Sequence, residues 1–245
     1  MQGTLHLLGT GAAVSDPHRT TTMLAFSIGK RTLLVDCGGD VMQRAQAVGI
    51  AYEHIEALFL THAHPDHISG FPLFMERIWL AGRRHPLPIY GAAPALEHAK
   101  KLFEVFDTSN WEGMPEMQWQ PVEDHVLDDD DWNITAAWVQ HSIPTLGLRV
   151  LNKHTGGIVG YSCDTSPCEA ATNLGRNADL FVHEATGDYP GHTSAKDAAR
   201  AAADANAKRL VLVHLPPESH RDDLGEALKL FPATSWGGEG ESFRF

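Results

Sequence analysis

The sequence has few cysteines, few basic residues and no long apolar run. Three cysteines among 245 residues are too few for a disulfide framework, and an odd number favours a reducing compartment. No apolar run approaches the roughly 18 residues of a membrane-spanning helix. Met1–Ser15 contains no Lys or Arg, which argues against a secretory or transit peptide. We therefore expect a cytoplasmic protein that does not associate with membranes.

Positive charge is scarce, since 19 Lys and Arg face 31 Asp and Glu and the formal net charge is −12. Because phosphate affinity comes from Lys and Arg, this balance disfavours a protein that binds nucleic acid over a broad surface. Apolar residues make up 43% and charged residues 20%, as in ordinary globular proteins. No repeat, low-complexity tract or Gly/Ser linker divides the sequence, so we predict one domain over residues 1–245.

Hydrophobic periodicity predicts strands in the N-terminal third and alternating strands and helices towards the C-terminus. The predicted strands are Leu5–Leu8, Thr22–Ile28, Thr32–Val35, Ile55–Leu60, Pro88–Tyr90, a strand from Trp132, Leu148–Leu151, Ile158–Ser162, Leu180–His183 and Leu210–His214. The predicted helices are Asp40–Val48, His67–Leu80, Pro94–Phe106, Cys168–Leu174, Ala195–Asn206 and Asp222–Leu230. Strands followed by βα units favour sheets covered by helices, which is an α/β layered fold.

Residues 107–131 form the least regular part of the sequence and end in the acidic run Asp128–Asp131. A calcium-binding loop is one interpretation of that run, because carboxylate oxygens suit calcium. A solvated turn between strands is the simpler interpretation, and it is the one that we adopt as the expectation.

Histidine is abundant, with fifteen copies, and several of them lie where predicted strands end. Five strands terminate in a His, Asp or Glu, in the segments Thr61-His62, His141, Cys163-Asp164, His183-Glu184 and His214. Functional sites of α/β folds collect at strand ends, because rigid strands position side chains there and the loops leave room for a ligand. Five such endings predict a shared site.

The densest cluster is the segment His62-Ala63-His64-Pro65-Asp66-His67. In an extended segment the period of two places His62 and His64 on one side, and Pro65 turns the chain towards another point nearby. Imidazole and carboxylate ligands without thiolate suit zinc or a similar divalent ion. Four potential ligands are too many for one catalytic metal with an open position, so the spacing indicates two adjacent metals.

This segment matches the HxHxDH motif of the metallo-β-lactamase superfamily, and the sequence resembles that family over nearly its whole length. Within the superfamily it resembles ribonuclease Z and its phosphodiesterase relatives most. The other matching segments are Leu8-Gly9-Thr10-Gly11, Asp36-Cys37-Gly38, His141-Ser142-Ile143-Pro144, Asp164-Thr165, His183-Glu184-Ala185-Thr186, Gly191-His192-Thr193 and Val213-His214. Each string is short, but the ordered set is specific.

The resemblance implies a four-layer αββα sandwich with a dinuclear metal site. The implied ligands are His62, His64 and His141 on one ion, Asp66, His67 and His214 on the other, and Asp164 bridging the two. A carboxylate has two oxygens and can bridge, whereas a neutral imidazole binds through one nitrogen. The implied cofactors are two divalent ions, with zinc preferred and manganese or iron accepted by the same ligands, that activate a bridging hydroxide.

The resemblance also assigns residues beside the metals. The implied catalytic residues are Asp66, Glu184 and His192, of which the last two assist protonation of the leaving group. His192 also fits an ordinary position just before a helix. Asp36 supports ligand histidines in the family, although a turn or N-cap role fits the sequence equally well. His183 is interpreted as structural.

Three positions depart from the family pattern. The segment Arg19-Thr20-Thr21 replaces the usual Arg-Asn pair, Leu148 stands where a Tyr is common, and Cys163 replaces the Gly before the bridging Asp. These departures concern substrate details rather than the metal site. All three cysteines are interpreted as small buried or half-buried residues, and a redox pair between Cys163 and Cys168 is the alternative for those two.

Typical ribonuclease Z members insert a long tRNA-binding arm after the segment that corresponds to Gly147-Leu148-Arg149. Here only the fourteen residues Val150–Cys163 separate Arg149 from Asp164, and a tight hairpin accounts for them. Basic groups for a few phosphates remain at Arg77, Arg83 and Arg84. We therefore expect extensive tRNA binding to be absent. The alternative is a homodimer in which the partner subunit supplies the tRNA contacts that the arm makes in typical members.

The leading hypothesis is a metal-dependent hydrolase that acts on ester bonds, specifically a phosphodiesterase with a small or nucleotide-like substrate. The alternative is tRNA 3′-processing by a ribonuclease Z. A further alternative is hydrolysis of a carboxylic ester, lactone, thioester or sulfate ester by the same hydroxide. A catalytically silent binding member is the non-enzymatic alternative, but such a protein is expected to lack one or two ligands and this sequence retains all seven.

Overall fold

Fourteen strands form the framework of the protein, whose computed structural model describes residues 1–245. The strands are β1 (Gly3–Gly9), β2 (Met23–Ile28), β3 (Arg31–Val35), β4 (Ile55–Leu60), β5 (Leu87–Gly91), β6 (Met117–Pro121), β7 (His125–Asp128), β8 (Trp132–Val139), β9 (Thr145–Asn152), β10 (Ile158–Tyr161), β11 (Leu180–Glu184), β12 (Leu210–Val213), β13 (Thr234–Trp236) and β14 (Ser242–Arg244).

Seven α-helices connect the strands. They are α1 (Val41–Ala47), α2 (Pro65–Ile68), α3 (Phe71–Leu80), α4 (Ala93–Glu104), α5 (Glu169–Leu174), α6 (Ala195–Asp204) and α7 (Leu224–Leu230). Two single-turn 3-10 helices lie at Tyr52–His54 and Glu218–His220. No helix combines the length and the apolar character that crossing a bilayer requires.

Local chemistry explains where α6 begins and which face it buries. The Ser194 hydroxyl accepts the backbone N–H of Asp197 at 3.1 Å, an N-cap that satisfies one free donor of the first turn. Ala195, Ala198 and Ala202 recur at helical spacing and are all buried. These small side chains let the helix lie close to β11 and β12.

The strands form two seven-stranded sheets. The order in the first sheet is β14-β1-β2-β3-β4-β5-β6, and the order in the second is β13-β12-β11-β10-β9-β8-β7. Side chains of both sheets share one apolar core. Helices α1, α3 and α4 pack beside the first sheet, and α5, α6 and α7 pack against the second. The result is the four-layer αββα sandwich, so the predicted α/β fold class is confirmed.

Two sequence-based expectations are wrong in detail. The predicted helix His67–Leu80 is divided in two, because Pro72 has no N–H to donate to the carbonyl oxygen of Ile68 and fits only the first turn of a new helix. Residues 107–131, expected to be irregular, contribute β6 and β7 at the edges of the two sheets. Strand β6 is half-buried along most of its length, so it lacks the alternating hydrophobic pattern that identifies a strand.

The acidic run forms the expected turn between β7 and β8, but it also joins the two sheets. Arg31 on β3 contacts the carboxylates of Asp129 at 2.8 Å and Asp131 at 2.5 Å, and that of Glu56 at 2.7 Å. Burial alone would raise the pKa of Asp129, but the hydrogen bond from Arg31 lowers it to about 2. The run is therefore an ion-pair network and not only a solvated turn.

The carboxyl ends of the central strands in both sheets meet at one edge of the sandwich. Parallel pairing of β3 with β4, and of β10, β11 and β12, aligns these ends within each sheet. Backbone hydrogen bonds then join the sheets, because Leu146 N–H donates to Thr61 at 3.2 Å and Leu215 N–H donates to Thr10 at 2.9 Å. The residues that follow these strands consequently converge.

The change Gly38→Ala should destabilise the protein, because a Cβ there would lie 1.6 Å from the carbonyl oxygen of Asp66. We expect the free energy of unfolding, measured by urea denaturation of metal-free protein, to fall by about 3 kcal/mol. In the control Gly238→Ala the new Cβ meets only Glu241, at 3.5 Å, so stability should stay within about 0.5 kcal/mol of the parent. Equal unfolding free energies for the two variants would contradict this expectation.

Candidate metal centre

Three histidine side chains from the two sheets converge at the end of β4. His62 and His64 follow β4, and His141 follows β8. The Nε2 atoms of His62 and His141 each lie 3.1 Å from Nδ1 of His64. His62 is buried, whereas His64 and His141 are partly open to solvent. The structure thus brings together the three histidines that the resemblance assigns to one metal ion.

A second group of side chains lies beside the first. Asp66 and His67 belong to α2, and His214 follows β12. Oδ2 of Asp66 lies 3.3 Å from Nε2 of His214 and 3.7 Å from Nε2 of His67. These are the three residues that the resemblance assigns to the other metal ion.

Asp164 lies between the two groups. Its Oδ2 is 3.3 Å from Nε2 of His214, 3.5 Å from Nε2 of His67 and 3.8 Å from Nε2 of His62. Burial alone would raise the pKa of this carboxyl, but the surrounding imidazoles hold it well below its usual range. The carboxylate of Asp164 therefore faces both groups, as a bridging ligand must.

The donor atoms fit divalent metal ions. Zinc–nitrogen bonds of about 2.0–2.1 Å in a tetrahedron separate neighbouring ligand atoms by roughly 3.3–3.4 Å, and the distances above run from 3.1 to 3.8 Å. Nε2 of His67 and Oδ1 of Asp164 are buried without a hydrogen-bond partner in the protein. Such atoms are costly to bury, and a bound cation would satisfy them.

Asp36 holds His67 in place and also fixes the end of β4. Its Oδ2 lies 2.8 Å from Nδ1 of His67. Its two oxygens also accept the backbone N–H and the hydroxyl of Thr61, each at 2.8 Å. Asp36 is buried, so these contacts use its whole carboxylate. The geometry favours the supporting role over the helix cap that the sequence left open.

Two other groups, which the sequence did not reveal, hold histidines of the cluster in place. The Thr186 hydroxyl lies 2.6 Å from Nδ1 of His214. The carbonyl oxygen of Gly191 lies 2.8 Å from Nδ1 of His141. A backbone carbonyl has no side-chain signature, whereas Thr186 lies inside a segment that matches the family and could have been found there.

Three residues at the site have a left-handed backbone, which non-glycine residues adopt uncommonly. They are Asp36 with φ 62°, Cys163 with φ 53° and His214 with φ 54°. Each lies within two residues of the end of a strand, where it turns the chain at the site. Backbone strain of this kind clusters at functional sites.

All three cysteines are free thiols, and no disulfide joins Cys163 to Cys168. Sγ of Cys163 lies 3.7 Å from Nδ1 of His62 and within 4.8 Å of a ring nitrogen of His67, so these three residues form a further group that could hold a metal ion. Sγ of Cys168 instead accepts the backbone N–H of Ala171 at 3.5 Å and caps α5. Cys163 is thus a buried neighbour of two histidines of the cluster.

Glu184 and His192 form a pair next to the donor groups. Glu184 is buried, and its carboxylate accepts the backbone N–H groups of Thr165, Thr186 and Thr193 at 3.2, 2.9 and 2.9 Å. Its Oε1 lies 3.2 Å from Nδ1 of His192. Burial alone would lower the pKa of His192, but the hydrogen bond and the charge of Glu184 raise it above its usual value.

His192 lies over the cluster, between histidines of the two groups. Its ring stacks on His214 with centroids 5.6 Å apart and meets the edge of His141 at 5.1 Å. One of its nitrogens lies within 4.8 Å of donor atoms of Asp164 and His214. A proton on His192 can therefore reach a group bound at the cluster. His183 is buried, and its Nδ1 lies 2.8 Å from the carbonyl oxygen of Glu184, in keeping with a structural role.

Of the three arginines expected to bind phosphate, Arg77 and Arg83 have partners within the protein, whereas Arg84 is exposed and donates only through Nη1. Arg77 forms an ion pair with Asp40 at 2.5 Å. Arg83 is 3% exposed and donates to the carbonyl oxygen of Ile55, and burial lowers its pKa to about 10. Arg84 donates to backbone carbonyls, including that of Arg83 at 2.9 Å.

Known proteins resemble this chain in sequence and in fold. Residues 31–215 match the model of the β-lactamase superfamily domain. Ribonuclease Z of Methanothermobacter thermautotrophicus is 28% identical over 285 residues, which cover 93% of this chain and 92% of the relative. Ribonuclease Z of Mycolicibacterium gilvum is 31% identical over 242 residues, which cover 86% and 83%.

A solved structure gives the same result for the fold. The metallo-β-lactamase fold protein YhfI from Bacillus subtilis superposes with a TM-score of 0.84 and 24% sequence identity, over 100% of both chains. The chain therefore belongs to the metallo-β-lactamase superfamily and is a metal-dependent hydrolase. Within that superfamily it lies in the ribonuclease Z-like branch.

Asp36→Asn should weaken metal binding while the protein remains folded. Asn adopts the left-handed backbone readily, but its amide presents no negative charge to His67. Removal of such a partner typically lowers metal affinity 10–100-fold. We expect the parent to hold two zinc ions per chain, and the dissociation constant of the variant to rise by that factor in chelator competition.

The control for this change is Asp107→Asn, at an exposed position. It should bind zinc like the parent protein. Less than one zinc ion per chain in the parent under excess zinc, or unchanged affinity in Asp36→Asn, would be the contradictory result.

Proposed function

We propose that this hydrolase is a dinuclear-metal phosphodiesterase that acts on small or nucleotide-like phosphodiesters. The observation that carries the proposal is the pair of histidine–carboxylate groups that share Asp164 and lie under His192. The proposed ligands are His62, His64 and His141 for one ion, Asp66, His67 and His214 for the other, and Asp164 for both. Two divalent ions bound there, with zinc preferred, activate water and polarise phosphoryl oxygens.

His192 is the proton donor in this proposal. A phosphodiester releases an alkoxide, which needs a proton as it leaves. Glu184 faces Nδ1 of His192 at 3.2 Å, stabilises the protonated ring and leaves Nε2 as the nitrogen that donates. Three backbone N–H groups hold Glu184, so the pair keeps its orientation without help from solvent.

Asp66 has two roles in the proposal. Its side chain is 12% exposed, more than that of Asp164 or His67, so it faces the open side of the cluster. It is proposed as a metal ligand and as the acceptor that orients the attacking water. Asp164 is instead enclosed and is proposed only as the ligand that the two ions share.

The preference for a small substrate rests on the connection between β9 and β10. Residues 153–157 form a tight turn in which Gly156 N–H donates to Asn152 at 2.8 Å, so no arm extends from this position. The alignment with the Methanothermobacter relative spans 285 residues but covers 93% of this 245-residue chain. That relative therefore has residues that this chain lacks. A net charge of −12 also offers few cations to tRNA phosphates.

Processing of tRNA 3′ ends is the second candidate function. The observation in its favour is that relatives with 28% and 31% identity over most of the chain are named ribonuclease Z. Hydrolysis of a carboxylic ester, lactone, thioester or sulfate ester requires the same metals, and no contact at the site favours it.

His192→Ala should slow the hydrolysis of substrates with poor leaving groups most. For a dinucleoside monophosphate, whose leaving group is an alkoxide, we expect kcat to fall about 100-fold. For bis-p-nitrophenyl phosphate the leaving group needs little protonation, so the loss should be only a few-fold. Zinc content should equal that of the parent, and His98→Ala, an exposed histidine on α4, is the control. Equal losses of kcat on both substrates would contradict the assignment of His192 as the proton donor.

The zinc-loaded protein should hydrolyse small phosphodiesters and process precursor tRNA poorly. The measurement is cleavage of a precursor tRNA at moderate salt, with the Methanothermobacter ribonuclease Z as the positive control. A parallel panel holds bis-p-nitrophenyl phosphate, a phosphomonoester, a lactone and an aryl sulfate. Efficient cleavage after the discriminator nucleotide would replace the small-substrate proposal with the second candidate, and turnover of only the lactone or the sulfate would contradict both.

A further inference from the structure

A polar cavity is lined in part by the segment that follows His214 in the chain. Its volume is about 480 Å³, and residues 16–19 and 217–221 supply its walls with no apolar side chain other than proline. Pro217 is three residues from His214, so their Cα atoms are at most about 11 Å apart. The cavity is therefore close enough to accept part of a molecule that is bound at the metals.

Two arginines line this cavity, and both are held in place by contacts with the protein. Nη1 of Arg19 donates to the carbonyl oxygen of Gly237 at 2.8 Å. Nη2 of Arg221 donates to the carbonyl oxygen of Pro216 at 3.2 Å, and its guanidinium lies 5.4 Å from the centroid of the Trp236 ring. Each guanidinium is thus partly ordered before any ligand arrives, which lowers the entropic cost of binding.

Neither arginine forms an ion pair with a carboxylate. Nε of Arg221 is buried without a hydrogen-bond partner. Arg19 and Arg221 line the same cavity. Burial and the like charge of Arg19 lower the pKa of Arg221, against the opposing charges of Glu218 and Asp16. Asp16 and Glu218 also line the cavity, and the carboxylate of Asp16 accepts the backbone N–H of His18 at 2.8 Å. The cavity therefore holds two guanidinium groups and two carboxylates, and the guanidinium donors that have no partner in the protein are the groups that an anion would bind.

We propose that this cavity is a subsite for a second phosphate group of the substrate. The preferred substrate is then a nucleotide-like phosphodiester that carries a further phosphate beyond the scissile one. A guanidinium presents a planar set of donors that matches phosphate oxygens, and two of them suit a dianion better than a neutral group. This subsite deepens the phosphodiesterase function proposed above. The expected turnover rests on that function, whereas the expected binding of a second phosphate does not.

The experiment compares the binding of adenosine 3′,5′-bisphosphate and adenosine 5′-monophosphate to zinc-loaded protein by calorimetry. We expect the parent to bind the bisphosphate at least about tenfold more tightly, as charge-assisted hydrogen bonds imply. Arg221→Met should reduce this ratio to near one. Glu218→Gln should increase the ratio, because it removes a negative charge from the cavity. Arg176→Met, a cation at the end of α5 that bonds only Asn173, should leave the ratio unchanged.

The melting temperature of each variant establishes that it is folded. If Arg221→Met does not fold, Arg221→Lys replaces it, and we expect a smaller reduction of the affinity ratio. Equal affinities for both nucleotides in the parent would overturn the subsite, as would an unchanged ratio in the arginine variant. Thymidine 5′-p-nitrophenyl phosphate with and without a 3′-phosphate then tests turnover. One further outcome is that Arg221→Met loses the binding ratio but the parent protein hydrolyses neither thymidine compound. That outcome would contradict the phosphodiesterase function and leave the subsite supported.

Discussion

The structure of the site depends on one buried carboxylate, that of Asp164, placed among imidazoles that come from both sheets. Oδ2 of this residue lies within 3.8 Å of histidines that follow β4 and β12 or belong to α2. A buried carboxylate is strongly unfavourable without cations or hydrogen-bond donors around it. The two sheets must therefore pack in one register at their carboxyl ends, because the histidines and carboxylates of each group come from both sheets.

That register is fixed by backbone contacts at least as much as by side-chain packing. Gly38 and Gly70 allow the loop after β3 to approach α2, where the N–H of Cys37 donates to the carbonyl oxygen of His67 at 2.8 Å. Asp36 then ties His67 to Thr61 at the end of β4. Rigid placement of this kind lets the histidine donors face one point before a metal ion binds.

The distribution of positive charge limits what the site can bind. Carboxylates pair with Arg31, Arg44 and Arg77, and backbone carbonyls take the guanidinium of Arg83. These four cations are therefore not free to bind a large polyanion, and the net charge of −12 opposes its approach. Arg19 and Arg221 line one cavity and are the proposed site for a single additional phosphate, in keeping with the proposed substrate of nucleotide size.

The sequence by itself determined the fold class and the segments that carry the site, because alternating strands and the His62–His67 motif are local patterns. It did not determine the edge strand β6, whose half-buried residues leave no alternation. It also did not determine which arginines are free, since Arg83 is buried and Arg19 lies about 200 residues from Arg221 along the chain. Only the tertiary structure decided these points, because burial and partners at long range depend on how the two sheets pack.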